Sequence, residues 1–192
     1  VLTDPPNPDL WYPLQSDFQD AAGTNHATAQ AGTNFTTGVI DGAVELNATG
    51  EYFDTGSSVA VGAGSDWSFS VWFRLDQTPA TNAMILQQMG VGRSWLYVTN
   101  SLNLGSFIGG DNTSGGSVQL GAWHHAALVA SGGRVKLYLD GQEVADEARS
   151  LEPATDTFRF GNFKTVEAAR QFVGRLEDAA LANRALTEGE SS

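Results

Sequence analysis

The fold of this chain is decided by residues 123–144, which read Trp-His-His-Ala-Ala-Leu-Val-Ala-Ser-Gly-Gly-Arg-Val-Lys-Leu-Tyr-Leu-Asp-Gly-Gln-Glu-Val. Two apolar runs, Ala126 to Ala130 and Val135 to Leu139, flank the segment Ser131-Gly132-Gly133-Arg134. Glycine accepts the positive φ angles that a tight reversal between antiparallel strands requires. In the second run apolar residues alternate with polar or amphipathic ones, which is the period of a half-buried strand. The stretch therefore predicts a β-hairpin with one face on a core.

Residues 66–75 show the same alternation more strongly. One set of their side chains shares the face that we expect to lie in the core: Trp67, Phe69, Val71 and Phe73. The opposite face carries Ser68, Ser70, Trp72 and Arg74. Further short strands are predicted at 84–88, 95–99 and 102–108, separated by glycine-rich segments. With 22 glycines and no sustained 3.6-residue periodicity, the sequence predicts an antiparallel all-β protein.

Length and charge restrict the organisation and the partners of the chain. Its 192 residues suit one domain, and the proline-rich residues 1–9 predict an extended linker. The absence of cysteine excludes disulfides and thiolate chemistry. The formal charge of −12 disfavours nucleic acid and anionic membranes as partners, because like charges repel. No apolar run reaches the roughly 18 residues of a membrane span, so we expect no membrane insertion.

The order of these motifs resembles a known family. Trp-His-His, an apolar strand, a Gly-Gly turn and Leu-Tyr-Leu-Asp-Gly are similar to the central hairpin of laminin G-like domains in the concanavalin A-like lectin/glucanase superfamily. Residues 171–181 and 182–190 resemble the closing strand and tail of that family. The resemblance covers residues 10–190 and implies a two-sheet antiparallel jelly-roll sandwich in a secreted or cell-surface bacterial protein. It also implies packing roles for Trp72 and Trp123.

Catalytic residues are not indicated by the acidic and histidine patterns. Glucanases of the superfamily use closely spaced carboxylates, and their Glu-x-Asp-x-x-Glu pattern is absent. Glu177 and Asp178 are adjacent and would point to opposite faces of a strand. His124 and His125 would do the same, and nothing in their spacing demands a catalytic triad. The family resemblance implies a packing and hydrogen-bonding role for the histidine at this site. We therefore predict that the chain is not an enzyme.

Calcium is a more credible prediction than a transition metal. Hard cations take oxygen ligands, and related domains often carry a structural Ca²⁺ between an N-terminal Asp loop and the closing strand. By this resemblance Asp20 and Asp178 are candidate ligands, and Asp41 with neighbouring carbonyls completes the predicted set. The alternative is that these residues are ordinary turn aspartates.

Carbohydrate recognition is predicted from aromatic residues, because a flat ring stacks on the apolar face of a pyranose while polar groups bind its hydroxyls. Trp95 and Tyr97 alternate with Leu96 and Val98, which leaves one face of their strand aromatic. This face either contacts a ligand or is buried in the ordinary way. The polar candidates lie in neighbouring loops: Arg93, Asn100, Asp111 and Asn112.

These patterns together predict a non-catalytic, lectin-like carbohydrate-binding module. We expect it to belong to a larger extracellular, periplasmic or cell-surface protein. Its expected partners are a polysaccharide or other glycan and the remaining domains of that protein. The alternative is a protein-adhesion or structural spacer domain without a glycan site.

Overall fold

The central strand of the fold is Trp67–Leu75, the segment with the clearest alternation. The computed structural model of the protein describes residues 7–30, 32–62, 66–91, 93–151 and 153–190. Of the predicted linker, residues 1–6 lie outside the described residues. Asp9 is already attached to the sheet, because its N–H donates to the carbonyl of Leu181 at 2.7 Å.

Seventeen strands and two short 3₁₀ turns make up the regular structure of the described residues. In chain order the strands are β1 (Leu10–Tyr12), β2 (Thr28–Ala29), β3 (Asn34–Thr37), β4 (Gly42–Leu46), β5 (Phe53–Asp54), β6 (Val59–Val61), β7 (Trp67–Leu75), β8 (Asn82–Gln88), β9 (Ser94–Thr99), β10 (Leu104–Ile108), β11 (Asp111–Gly115), β12 (Trp123–Ser131), β13 (Arg134–Leu139), β14 (Gln142–Ala148), β15 (Ala154–Asp156), β16 (Phe158–Phe160) and β17 (Gly174–Ala182). The 3₁₀ turns are Ala168–Arg170 and Glu188–Glu190.

Two antiparallel sheets form a sandwich, which confirms the predicted all-β class. The larger sheet has eight strands in the order β14-β13-β12-β7-β17-β4-β3, with β1 paired to β17. The smaller sheet has seven strands in the order β11-β10-β9-β8-β16-β5-β2. A two-stranded ribbon joins β6 to β15. The described residues contain no helix long and apolar enough to cross a membrane.

The predicted hairpin is confirmed at the centre of the larger sheet. Strands β12 and β13 pair up to Ser131 opposite Arg134, and the two turn residues between them are Gly132 at φ 56° and Gly133 at φ 73°. A side chain would strain the backbone at both positions, because L-residues rarely adopt positive φ. Val135 and Leu137 are fully buried, as the alternation predicts.

The core lies between the inner faces of the two sheets. Phe69, Val71 and Phe73 of β7 are 2% exposed or less, as expected for the apolar face of that strand. Aromatic rings from both sheets meet there: Phe53 stacks on Phe160 at 4.5 Å, and Tyr12 contacts the edges of both. Burial of such side chains supplies about 25 cal/mol per Å² of apolar surface and dominates the stability of the sandwich.

The segment that follows β17 turns back over the outer face of the larger sheet. Leu186 packs there with Ala185 against Val129 and Tyr138. The Ser68 hydroxyl donates to the carbonyl of Arg184 at 2.7 Å and accepts from the N–H of Leu186 at 2.8 Å. This segment, residues 183–190, is called the C-terminal strap below.

An ion pair lies within the C-terminal strap and makes the stability of the strap dependent on pH. The hydrogen bond from Arg184, at 2.9 Å, and the N–H of Thr187 lower the pKa of Glu190 to about 2. The pKa of Glu190 is lower in the folded state than its ordinary value of 4.5, so this stabilisation is complete above pH 4.5 and is lost as the pH falls through about 2. We expect the difference in melting temperature between wild type and Glu190→Gln to be largest at neutral pH and to vanish near pH 2. A difference that stays constant from pH 6 to pH 2 would contradict this.

Candidate functional site

The residues predicted to bind sugar do not form one site, and Trp95 is the clearest correction. Trp95 is 4% exposed and stacks on Trp67 of the larger sheet with ring centroids 4.3 Å apart. Its indole N–H donates to the side chain of Gln88 at 3.0 Å. The pairing register of β8 with β9 shifts at this point, since Leu86 faces Leu96 and Gln87 faces Ser94. Trp95 is the extra residue of this bulge and contacts the core instead of a ligand.

Tyr97 stays on the outer face of the smaller sheet but is only 3% exposed. Its hydroxyl donates to Oδ1 of Asn112 at 2.8 Å, so these two predicted residues do come together. Burial raises the pKa of the Tyr97 hydroxyl, and the positive charge of Arg170 partly opposes this rise. Because the Tyr97 ring is covered, it cannot offer a stacking face to a sugar. Asn112 and its neighbour Asp111 are exposed at this edge.

The other two predicted polar residues lie apart from this pair. Arg93 precedes β9 and Asn100 follows it, at opposite ends of a six-residue strand. Six strand residues span about 20 Å, so the two side chains cannot contact one small ligand together. The carbonyl of Arg93 accepts hydrogen bonds from the backbone of Gln88 and the side chain of Gln87, which gives it a structural role.

The predicted calcium ligands are not assembled as a set. The Asp20 carboxylate accepts three backbone hydrogen bonds, from Trp11, Ala22 and Asn25, at 3.0 to 3.1 Å. Asp178 accepts the indole N–H of Trp11 at 2.9 Å, while the Asp41 carboxylate accepts the side-chain amide N–H of Gln15 at 3.0 Å. Among the described residues no three His, Cys, Asp or Glu side chains are grouped to hold a metal ion. The binding of calcium itself stays a prediction.

The two adjacent histidines have different surroundings. His124 lies on the inner side, with Nδ1 2.7 Å from Oδ2 of Asp140 and Nε2 accepting the backbone N–H of Gln119 at 3.0 Å. Both ring nitrogens are therefore engaged in holding the loop and the turn around β12 and β13. This geometry favours the predicted structural role for His124, because a general base needs a free nitrogen. His125 lies on the outer face of the larger sheet.

That outer face carries the best candidate site, which sequence reasoning missed. Trp72 and Trp123 are both half-buried and stand there on the neighbouring strands β7 and β12. Trp72 faces His125, with ring centroids 5.0 Å apart, and Trp123 faces Arg74. The two indoles are therefore diagonal cross-strand neighbours, about 7 Å apart at their backbones. We call this pair the tryptophan platform.

The indole N–H groups distinguish the platform from Trp11 and Trp95. Trp11 and Trp95 donate theirs to Asp178 and Gln88. Within the residues that the structure describes, neither Trp72 nor Trp123 has a hydrogen-bond partner for its ring nitrogen. The platform therefore offers apolar ring faces and unused donors together, which is the combination that sugar recognition requires.

Charged residues border the platform on one side. Arg74 pairs with Asp76 at 2.8 Å, and its cross-strand neighbour Arg175 pairs with Glu45 at 3.1 Å. Next to Trp72 in the sheet, the Glu177 carboxylate is 1% exposed and holds the loop of residues 39–41. The two arginines therefore supply charged groups along one side of the aromatic surface.

The sequence held a signal for this site. Alternation along β7 placed Trp72 on the face opposite the core, and the structure agrees with that pattern. The family resemblance implied packing for Trp72 and Trp123, and this implication is corrected here. Both residues pack partly against the sheet, but each keeps part of its surface exposed.

Solved structures with the same architecture come from glycan-related proteins. The chain is similar to domain 4 of an extracellular arabinanase from Geobacillus stearothermophilus, solved in complex with arabinotriose, with 18% identity, a TM-score of 0.72 and 96% of each chain covered. It also resembles the sialidase of Trypanosoma rangeli, with 15% identity, a TM-score of 0.74, and 96% of this chain but 32% of the sialidase covered. At these identities the likeness shows the fold alone.

A third similar structure is the binding domain of botulinum neurotoxin serotype D, with 14% identity, a TM-score of 0.67, and 96% of this chain and 49% of that chain covered. The chain thus spans about a third of the sialidase and half of the toxin fragment. No curated protein sequence matches the chain. A family profile matches residues 47–190, three quarters of the sequence. The chain therefore belongs to the concanavalin A-like lectin/glucanases superfamily, in its laminin G branch.

Proposed function

We propose that this protein is a non-catalytic carbohydrate-binding module that holds a glycan on the tryptophan platform. The observation that carries the proposal is the pair of partly exposed indoles, Trp72 and Trp123, whose N–H groups have no partner in the described part of the chain. A pyranose or furanose ring presents C–H groups to such faces and hydroxyls to the neighbouring donors. The module would serve a larger extracytoplasmic protein, as the arabinanase domain does in its own enzyme.

A non-catalytic role is supported by the state of the carboxylates nearest the platform. Glu177 accepts three backbone hydrogen bonds, and Asp178 lies in the β17 bulge and binds Trp11. In the part of the chain that the structure describes, neither is grouped with two further acids or histidines, whereas glycoside hydrolysis requires a pair of carboxyl groups across an open cleft. Release of reducing sugar from any polysaccharide by the purified chain would overturn this part of the proposal.

The direct test is a glycan array followed by affinity electrophoresis, with arabinotriose and linear arabinan among the probes. We expect Trp72→Ala and Trp123→Ala each to weaken binding about tenfold or more, because loss of one aromatic contact costs roughly 1.4 kcal/mol. Melting temperatures measured in parallel show whether each variant is folded.

The matched control is Asn112→Ala, which removes the exposed residue of the smaller sheet next to Tyr97. We expect it to bind like wild type. Loss of glycan binding in Asn112→Ala, together with wild-type binding in Trp72→Ala, would show that the site lies on the smaller sheet. Absence of binding to every glycan would favour the alternative, a protein-adhesion or structural spacer domain.

Calcium is a separate proposal, decided by the melting temperature with and without EDTA. An ion that binds only the folded chain must raise its stability. A lower melting temperature after chelation, restored by added Ca²⁺, would support an ion near Asp20 and Asp178. An unchanged melting temperature would remove the proposal.

A further inference from the structure

His124 connects the larger sheet to the loop of residues 116–122, and its side chain is only 8% exposed. Its Nε2 accepts the backbone N–H of Gln119 at 3.0 Å, so this nitrogen carries a lone pair and no proton. The ring proton is therefore on Nδ1, which lies 2.7 Å from Oδ2 of Asp140 and donates to it. The loop is thus held by the neutral form of the imidazole.

The hydrogen bond from Gln119 anchors a turn, residues 119–122, that leads directly into the tryptophan platform. The carbonyl of Gln119 accepts the N–H of Ala122 at 3.3 Å, and the next residue in the chain is Trp123. The N–H of Gly121 donates to the carbonyl of Leu75, the last residue of β7, at 2.8 Å. The position of the turn therefore depends on His124 at one point and on the end of β7 at another.

A protonated His124 could not keep this arrangement. Both nitrogens of an imidazolium carry protons, so Nε2 would no longer accept and two N–H groups would face each other. The Asp140 carboxylate would stay paired, because it attracts the positive ring. On β7 the imidazole meets the uncharged ring of Phe73, with centroids 5.7 Å apart, and residues 116–122 include no charged side chain. Among the described residues, Asp140 is therefore the charged group in contact with His124.

We propose that His124 is a pH switch that holds the turn of residues 119–122 when neutral and releases it when protonated. The imidazole takes up one proton on Nε2, keeps its bond to Asp140 and loses its bond to Gln119. Histidine changes charge between about pH 5 and pH 8, so the switch responds to mild acid. Resting on the proposed function, release of the turn frees the backbone that enters Trp123 and weakens glycan binding.

The switch is tested by amide exchange without any glycan. The chain has three histidines, whose ring signals are followed by NMR from about pH 8 to about pH 5 while the protection factor of the Gln119 amide is measured. We expect this protection to fall about three- to tenfold as His124 titrates, the effect of one lost hydrogen bond. The His125 amide, which donates to Oδ1 of Asp140 at 2.8 Å, is expected to stay protected.

Three outcomes of this measurement would overturn the switch. The first is constant protection of the Gln119 amide while His124 titrates. The second is a His124 ring that stays neutral down to about pH 5. The third is equal loss of protection at the amides of Gln119 and His125, which would assign the change to Asp140 or to general unfolding.

Two variants separate His124 from other titrating groups. His124→Gln supplies an amide oxygen that can accept the N–H of Gln119 and does not titrate, so we expect protection of that amide to become independent of pH. His26→Gln is the matched control, because Nδ1 of the exposed His26 also accepts a backbone N–H, that of Asp20 at 3.1 Å. We expect it to keep the wild-type response at Gln119. If His124→Gln does not fold, the wild-type titration still decides the proposal.

The consequence for the tryptophan platform has its own readout. We expect the affinity of wild type for a bound glycan to fall over the pH range in which the Gln119 amide loses protection, and to stay constant in His124→Gln. Constant wild-type affinity across that range would overturn the link to the platform and leave the switch standing. Absence of binding to every glycan would overturn the proposed function, while amide exchange would still decide the switch.

Discussion

Trp95→Ala is expected to lower the free energy of unfolding by about 3–5 kcal/mol, without a direct effect on glycan binding. The indole stacks on Trp67, meets the edge of Phe158 with centroids 4.7 Å apart, and donates to Gln88. Truncation leaves a cavity between the two sheets and an unpaired buried amide on Gln88. Domains of this kind have only about 5–15 kcal/mol of stability in total, so the loss is severe.

Urea unfolding followed by tryptophan fluorescence measures this effect, with Trp72→Ala as the comparison. Trp72 is only partly buried, on the outer face, so we expect its truncation to cost much less stability and to weaken glycan binding instead. We therefore expect Trp95→Ala to lower the stability of the fold and Trp72→Ala to lower its affinity for glycan. A Trp95→Ala variant with wild-type stability and no glycan binding would show that Trp95 belongs to the binding site.

Glu177→Ala is expected to cost about 2–4 kcal/mol of stability and to release the loop beside the tryptophan platform. Oε2 accepts the N–H of Val39 at 2.6 Å, and Oε1 accepts those of Ile40 and Asp41 at 3.0 and 2.8 Å. Hydrogen bonds to an ionised acceptor are worth about 1.5–3 kcal/mol each, and water recovers part of the loss because the loop is half-exposed.

Amide hydrogen exchange at residues 39–41, together with urea unfolding, measures the release of this loop. Glu177→Gln keeps one acceptor oxygen but loses the charge, so we expect an intermediate effect. Glu167→Ala is the control, because the carboxylate of this partly exposed glutamate pairs with Arg170 at 3.0 Å, and surface pairs contribute little. Unchanged exchange at residues 39–41 in Glu177→Ala would show that the loop is held by other contacts.

The sequence determined the architecture because the relevant signals are local. Alternation along β7 and β13, and the glycines at φ 56° and 73° between β12 and β13, specify strands and their reversal whatever surrounds them. The structural role of His124 was implied by the family resemblance of this hairpin. Once one face of each strand is apolar, two sheets must pack face to face to bury it.

The location of the candidate site was decided only by the tertiary structure. In the sequence Trp95 and Tyr97 flank Leu96, so strict alternation would place both on the same face of β9. A bulge in β9 breaks this alternation, and Trp95 lies in the core instead. The cover that Leu186 provides over Val129 and Tyr138 depends on a segment that returns from a distant part of the chain. Alternation predicts which side chains share a face of a sheet, but it does not predict what packs over that face. Long-range packing covers Tyr97 and leaves Trp72 and Trp123 partly open, and this difference makes the platform.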